Sequence, residues 1–126
     1  MLSYEENNLV KIDERTFDFA LLIIETYKYL IAKQEYVLSK QLLRSGTSIG
    51  ANVHEAQAAQ SKRDFVSKMA IASKEARETD YWLRLLVKSG FLIDFDKKDK
   101  LTAEVIAIIN IITKIVKTST KTSVEL

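Results

Sequence analysis

The sequence contains no cysteine, no proline and only three glycines among its 126 residues. Without cysteine it cannot form a disulfide framework, an iron–sulfur cluster, a thiol nucleophile or a Cys-based zinc site. A β-sandwich or β-barrel needs many tight turns, and such turns draw heavily on glycine and proline. A hydrophobic content of 47% and a net charge of +2 also exclude a disordered chain. The composition indicates long helices and few loops.

Long hydrophobic runs are missing as well. The longest, at positions 19–24 and 105–109, are far shorter than the roughly 20 residues that a membrane span requires. The first 15 residues are acidic and polar, and they lack the basic and apolar regions of a signal peptide. We therefore expect a cytoplasmic protein with no membrane association.

Four amphipathic segments follow one another within what we predict to be a single domain, 1–126. Their helical spacing places them at about 13–33, 35–60, 62–88 and 96–120. Similar lengths and short connections are typical of an antiparallel up-down-up-down four-helix bundle. The predicted fold class is accordingly all-α.

The first segment has Asp13 as its predicted N-cap. Its predicted apolar stripe comprises Phe17, Ala20, Leu21, Ile24, Tyr27, Leu30 and Ile31.

The second segment contains two glycines, Gly46 and Gly50, within the run SGTSIGA. Locally this run resembles a turn, but the apolar periodicity continues through it, from Leu38 to Ala56. We predict a continuous helix, with a kink or break as the alternative. In a continuous helix the two glycines lie one turn apart on one face, where another helix can approach closely.

The third segment has start and stop signals. Ser61 and Asp64 resemble a capping box, and Gly90 stands where a C-terminal glycine cap is expected. The fourth has an apolar seam from Leu101 to Ile115, and further apolar residues lie outside it. Because a helix at the edge of a bundle needs one apolar stripe, this excess predicts either deep burial or a subunit interface, and with only four helices available we favour the interface. The residues outside the seam are Ile106, Ile109, Ile111 and Val116.

The residues present do not fit the metal-binding and catalytic motifs considered for such a bundle. A di-metal carboxylate site needs Glu-x-x-His pairs, yet the only histidine, His54, has no glutamate three residues before it. His54-Glu55 also begins no His-Glu-x-x-His motif, and the Gly46-to-Gly50 spacing is too short for a phosphate-binding P-loop. We expect His54 to face solvent. We predict no catalytic residue, no metal site and no cofactor.

Polar residues recur on the second and third segments, where Asn52 precedes Glu55 and Glu75 precedes Glu78. They are either solvated or form a polar layer between the two helices, in which carboxylates meet Arg44, Arg77 or a serine hydroxyl. Such a layer fixes helix register more than it adds stability. Trp82 is expected as an anchor in the core or an interface, with base stacking as the alternative.

Charge is unevenly distributed along the chain. Residues 1–33 carry a formal charge of −2, whereas 34–63 carry +2. A basic surface repeated in an oligomer would strengthen phosphate binding through counterion release. The candidate nucleic-acid-binding residues on the second and third helices are Lys40, Arg44, Lys62, Arg63, Lys68, Arg77, Arg84 and Lys88.

Two stretches resemble one family: LSKQLLRSGTSIGANVHEA at 38–56 and ASKEARETDYWL at 72–83, with Asp64-Phe65 between them. This is the bacterial four-helix bundle family named for 23S rRNA intervening-sequence proteins. It is related in fold to the accessory variability protein of diversity-generating retroelements, which binds a reverse transcriptase and nucleic acid. The resemblance implies a homo-oligomeric, pentameric barrel without established activity. It implies roles in fold and assembly for the matching residues Ser45, Gly46, Ser48, Gly50, Asn52, Glu55, Glu75, Glu78, Tyr81 and Trp82.

The sequence thus favours a non-enzymatic, homo-oligomeric bundle that binds RNA or a nucleic-acid-processing protein through a basic surface. A protein–protein interaction scaffold without a nucleic-acid role is the alternative. A metal-dependent enzyme is a third hypothesis, which the residue inventory opposes.

Overall fold

The computed structural model describes the backbone of residues 4–125 and the side chains of residues 6–120. The described chain forms four helices and no strand: α1 is Tyr4–Ala32, α2 is Leu38–Ala56, α3 is Lys62–Lys88 and α4 is Lys98–Glu125. Helices adjacent in sequence pack side by side, and α1 also contacts α4, so that α1 and α3 are diagonal. The all-helical prediction and the predicted number of helices are confirmed.

The first helix starts earlier than predicted. It begins at Tyr4, and Asp13 lies inside it with its carboxylate 3.2 Å from Nδ1 of His54 on α2. Asp13 is therefore a mid-helix residue and not an N-cap. The helix extends towards the N-terminus because Ile12 is buried in the core and the carbonyl of Leu9 accepts a hydrogen bond from Gln57 on α2.

The predicted apolar stripe of α1 matches the buried face only in part, since Leu30 alone of its seven residues is buried. Phe17 and Leu21 are 64% and 54% exposed, whereas Ile12, Phe19 and Ile23 are buried. Thr16 and Thr26 complete the buried stripe, and each hydroxyl donates to a carbonyl one turn earlier, at 2.8 and 2.7 Å. Because these hydroxyls are satisfied within the helix, they can be buried without an unpaired polar atom.

The second helix is continuous through its glycines, as predicted. An added Cβ at Gly46 would lie 2.7 Å from Cγ1 of Ile23, and one at Gly50 would lie 3.1 Å from the backbone oxygen of Thr16. The glycines therefore bring α1 and α2 into close contact. The helix starts after the predicted position because Glu35 caps it, its carboxylate accepting from the amides of Val37 and Ser39.

The ends of α3 match their predicted signals. The Ser61 side chain accepts from the amide of Asp64 at 3.0 Å, and Gly90 adopts a φ of +93°, which a glycine tolerates. In the connection that follows, Leu92 and Phe95 are buried. The Phe95 ring lies 4.7 Å from that of Tyr29 and closes this end of the bundle.

The extra apolar residues of α4 are mostly used within the bundle. Ile109 is buried, Ile111 and Val116 pack partly against the core, and Ile106 alone of the four is largely exposed, at 46%. Burial within the bundle, the alternative to a subunit interface, therefore accounts for most of this excess. The contacts between α1 and α4 are fewer than between any other neighbouring pair. They include the ion pair Arg15–Glu104, and Lys97, just before α4, pairs with Glu25 of α1.

Candidate nucleic-acid interface

A layer of polar side chains joins α2 to α3. Arg44 on α2 lies between two carboxylates of α3: its Nη1 donates to Glu75 at 3.2 Å and its Nη2 donates to Glu78. The indole Nε1 of Trp82 donates to the same Glu78 carboxylate at 2.9 Å. Trp82 is partly buried, with its ring edge against Tyr81. This layer is one of the two arrangements left open by the sequence.

The layer alters the titration of Glu78. The hydrogen bond from Trp82, together with those from Arg44, lowers the pKa of Glu78 below its ordinary value, although partial burial opposes this. The carboxylate is therefore held in its charged form. Since its side chain is 37% exposed, solvent weakens the interaction, and the layer fixes helix register more than it adds stability.

A buried hydrogen bond lies beneath this layer. Thr79 on α3 donates to Ser45 Oγ on α2 at 2.9 Å, and both residues are fully buried. The Thr79 hydroxyl also lies 2.8 Å from the carbonyl oxygen of Glu75. Because a buried hydroxyl without a partner is costly, this pair specifies how α2 and α3 align.

The other motif residues make mostly local contacts. The Asn52 amide donates to Ser48 Oγ and to its carbonyl within α2, so it does not bridge the two helices. Glu55 on α2 accepts from Lys68 on α3 at 2.9 Å. Tyr81 is 50% exposed on the outer face of α3.

Three of the eight predicted basic residues on α2 and α3 are already paired with carboxylates. Arg44 is bound by two glutamates, Lys68 is bound by Glu55, and Arg84 lies 3.4 Å from Asp80 one turn before it. A cation already paired with a carboxylate attracts a phosphate less strongly than a free one. These three residues act mainly within the protomer.

The remaining predicted cations do not form one patch. Lys62 and Arg63 begin α3, whereas Lys88 ends it, and Lys40 is near the start of α2 beside that far end. At 1.5 Å per residue, the two ends of α3 are about 39 Å apart. Of the eight predicted residues, four therefore lie at the two ends of the bundle, three are paired with carboxylates, and the eighth is Arg77.

Arg77 belongs to a different surface, the groove between α3 and α4. Its Nη2 lies 3.4 Å from Thr113 Oγ1 on α4. The groove has a volume of about 190 Å³, and the side chains that line it on α3 beside Arg77, those of Ala70 and Ser73, are small. The remaining lining residues are Val116 and Lys117.

Sequence reasoning missed the lysines of α4. Beyond Glu104, the charged residues of α4 up to position 124 are all lysines, and Lys114 and Lys117 are exposed. Among the described side chains, none forms an ion pair with Lys114, Lys117 or Arg77. The absence of acidic residues from this stretch is the signal that could have identified them. Arg77 and Lys117 line the groove and Lys114 lies outside it on the exposed face of α4; we call the three residues together the α3–α4 basic groove.

His54 faces solvent, as expected, with 77% of its side chain exposed. It borders an open depression of about 440 Å³, with Phe17 and the acidic residues Asp13, Glu14 and Asp18. No serine, threonine or tyrosine lines it.

Among residues 6–120, no three His, Cys, Asp or Glu side chains converge in a way that could hold a metal ion. None of the described helices combines the length and apolarity needed to cross a bilayer.

The four packed helices and the α2–α3 polar layer place this chain in the class of small four-helix proteins. Comparison with known proteins then identifies its family. The family model described as "23S rRNA-intervening sequence protein" matches residues 9–114. The chain therefore belongs to this family, as its motifs at 38–56 and 72–83 predicted.

A solved structure agrees with this assignment. It is a crystal structure at 1.70 Å of a protein of unknown function from the S23 ribosomal protein family of Bacteroides thetaiotaomicron VPI-5482. The two sequences are 40% identical, the match covers 87% of this chain and 98% of that one, and the TM-score is 0.82. A search of curated proteins gives no match.

Proposed function

We propose that this protein is a non-enzymatic RNA-binding bundle that holds phosphates in the α3–α4 basic groove. The observation that carries the proposal is that Arg77 and Lys117 line one groove, with Lys114 exposed nearby on α4, and that none of the three has a described carboxylate partner. The small side chains of Ala70 and Ser73 leave room for a phosphate to approach. The family name, which refers to an intervening sequence of an rRNA, favours RNA as the nucleic acid.

Phosphate contacts of this kind contribute to the affinity for RNA more than to specificity for its sequence. Lysine and arginine contacts to phosphates position a nucleic acid but do not read its bases. Three phosphate contacts per protomer correspond to a slope of about −2 in log affinity against log salt for a single strand. A strand that crosses several protomers would have a steeper slope.

The proposal includes assembly. Copies of the groove repeated in a homo-oligomer, for which the family resemblance implies a pentamer, would bind one RNA at several points. Exposed apolar residues on α1 support self-association, since Phe17 and Leu21 are more than half exposed. We place this function in the cytoplasm, because a chain without cysteine has no disulfide bond that would require an oxidising compartment.

Salt-dependent RNA binding tests the proposal. We would titrate a structured rRNA fragment and a single-stranded RNA of mixed sequence with the purified protein between 50 and 300 mM salt. The groove variant carries Arg77→Gln, Lys114→Gln and Lys117→Gln. The matched control carries the same loss of charge at the ends of the bundle, through Lys40→Gln, Lys62→Gln and Arg63→Gln.

The groove variant should lose at least about 10-fold in affinity near physiological salt and its salt slope should approach zero, whereas the control should change by less than about 3-fold. Equal losses in both variants would show that only net charge matters. No binding by the unaltered protein at low salt would overturn the proposal.

A protein–protein interaction scaffold is the second candidate. It is favoured by exposed apolar side chains outside α1, at Tyr36, Val37 and Ile93. A specific protein recovered with the tagged chain after nuclease treatment, together with no RNA binding, would support this function instead.

A further inference from the structure

The groove between α3 and α4 contains two hydroxyl groups in addition to its cations. Ser73 lies one turn before Arg77 on α3, and Thr113 lies one turn before Lys117 on α4. All four side chains line the groove. Each helix therefore presents one hydroxyl and one cation to the same space, which suits a ligand that has both hydroxyl groups and charged oxygens.

The packing of the two helices places each hydroxyl opposite a cation. Nη2 of Arg77 donates to Oγ1 of Thr113 across the groove at 3.4 Å, so these two residues lie at about the same level. Because a short connection joins α3 to α4 and the helices run in opposite directions, Ser73 is then level with Lys117. The two cations occupy diagonal corners of the groove, about 6 Å apart along the helix axes, and the hydroxyls occupy the other two corners.

Both hydroxyl hydrogens are available to a ligand. Elsewhere in the bundle, helix threonines donate to a carbonyl one turn earlier, as do Thr16, Thr26, Thr47 and Thr102. Within residues 6–120, Thr113 makes no such bond, and its oxygen only accepts from Arg77. The half-buried Ser73 hydroxyl has no hydrogen-bond partner among the same residues. These two hydroxyls therefore differ from those that the helices use internally.

The lining of the groove favours a nucleic-acid backbone over its bases. The other lining residues, Ala70 and Val116, have neither a polar side-chain atom nor an aromatic ring. Bases of a single strand are held mainly by stacking on aromatic side chains and by hydrogen bonds to their edges. Cations and hydroxyls are instead the groups that contact phosphate and sugar.

We propose that the groove recognises the ribose 2′-hydroxyl and thereby distinguishes RNA from DNA. Arg77 and Lys117 contact two successive phosphates, and the ribose between them lies against Ser73 and Thr113. A 2′-hydroxyl is both a donor and an acceptor, so it accepts from Ser73 and donates to Oγ1 of Thr113. Deoxyribose lacks this group and leaves both side chains without a ligand partner. The inference rests on the proposed function and names the chemical group of the RNA that the groove binds.

The first test compares three single strands of one mixed sequence: RNA, DNA and 2′-fluoro RNA. The 2′-fluoro strand keeps the sugar shape of RNA but has no hydroxyl to donate. One hydrogen bond contributes about 3- to 10-fold in affinity. We therefore expect the unaltered protein to bind RNA at least about 3-fold more tightly than either of the other strands.

The second test removes the two protein hydroxyls without changing charge. The hydroxyl variant carries Ser73→Ala and Thr113→Val, and the matched control carries Ser67→Ala and Thr102→Val on the same two helices outside the groove. The hydroxyl variant should bind RNA as weakly as DNA, with its affinity for DNA and its salt slope unchanged, since no cation is lost. The control should keep the full preference for RNA. Circular dichroism should show the same helical content in both variants.

The remaining outcomes separate this inference from the proposed function. Equal affinity of the unaltered protein for RNA and DNA would overturn the inference and leave phosphate binding in the groove standing. Tight binding of 2′-fluoro RNA would also overturn it, because the preference would then come from sugar shape. Equal losses for RNA and DNA in the hydroxyl variant would show a structural role for the two residues and refute recognition by them. No RNA binding at low salt would refute both proposals.

Discussion

Gly46 offers a quantitative test of how closely α1 and α2 approach. In Gly46→Ala the new Cβ would lie 2.7 to 2.8 Å from three side-chain atoms of Ile23, which is fully buried. Overpacking of this kind costs about 1–3 kcal/mol. Replacing a helix-interior glycine by alanine recovers about 1 kcal/mol of helix propensity. We expect a net loss of about 1 kcal/mol, because all three close contacts are with a side chain that has little room to move.

Urea denaturation and thermal melting would measure this change. For a chain of this size, 1 kcal/mol corresponds to a fall in melting temperature of about 4 °C. Ala51→Gly, at an exposed site on the same helix, measures the propensity difference without the clash and should cost about 1 kcal/mol. Gly46→Leu should lose several kcal/mol, because it adds much more volume at the same point.

A double variant identifies the cause. Ile23→Ala should destabilise the protein by about 2–5 kcal/mol on its own by leaving a cavity. Combined with Gly46→Ala, the loss should be smaller than the sum, because the new methyl group occupies part of the vacated space. The reasoning fails if Gly46→Ala gains the full propensity increment, or if the two changes are additive.

Three further predictions concern other parts of the bundle. Ser45→Ala or Thr79→Val alone should each cost about 1 kcal/mol in urea denaturation, whereas the double variant should cost less than their sum; additive losses would argue against the buried hydrogen bond. The lowered pKa of Glu78 means that its stabilising contribution is complete above its unfolded pKa and is lost as the pH falls through its folded pKa. Glu78→Gln should therefore be less stable than the unaltered chain at pH 7 and converge with it in acid; a constant difference across pH would contradict this. Gly90→Ala should cost about 1 kcal/mol through backbone strain alone, since nothing lies within 4 Å of the new Cβ; an unchanged melting curve would refute it.

The helices could be predicted from spacing, but the choice of buried face on α1 could not. Two apolar stripes run along this helix, and hydropathy favours the one with Phe17 and Leu21. The buried stripe includes Thr16 and Thr26, which appear polar in sequence but satisfy their hydroxyls within the helix. The selection depends on Gly46 and Gly50, whose missing side chains accommodate Ile23 and Thr16.

The candidate site, like α1, could be predicted from the sequence only in part. The concentration of cations on α2 and α3 is visible in sequence, but their availability is a property of the fold. Glu75 and Glu78 reach Arg44 across an interhelical contact, so a separation of about 30 positions hides the pairing. The lysines of α4 were visible in sequence, but the position of Lys117 beside Arg77 depends on how α4 packs against α3.

The sparse contact between α1 and α4 determines where the bundle opens first. The other neighbouring helices share extensive packing, whereas this seam relies more on two partly exposed ion pairs. Exposed ion pairs contribute little and weaken with salt. We therefore expect native-state hydrogen exchange to show slow exchange in the middle of α2 and α3, with opening along this seam at a lower free energy than global unfolding. In this partly open state α1 and α4 would be separated from each other while α2 and α3 remained packed together.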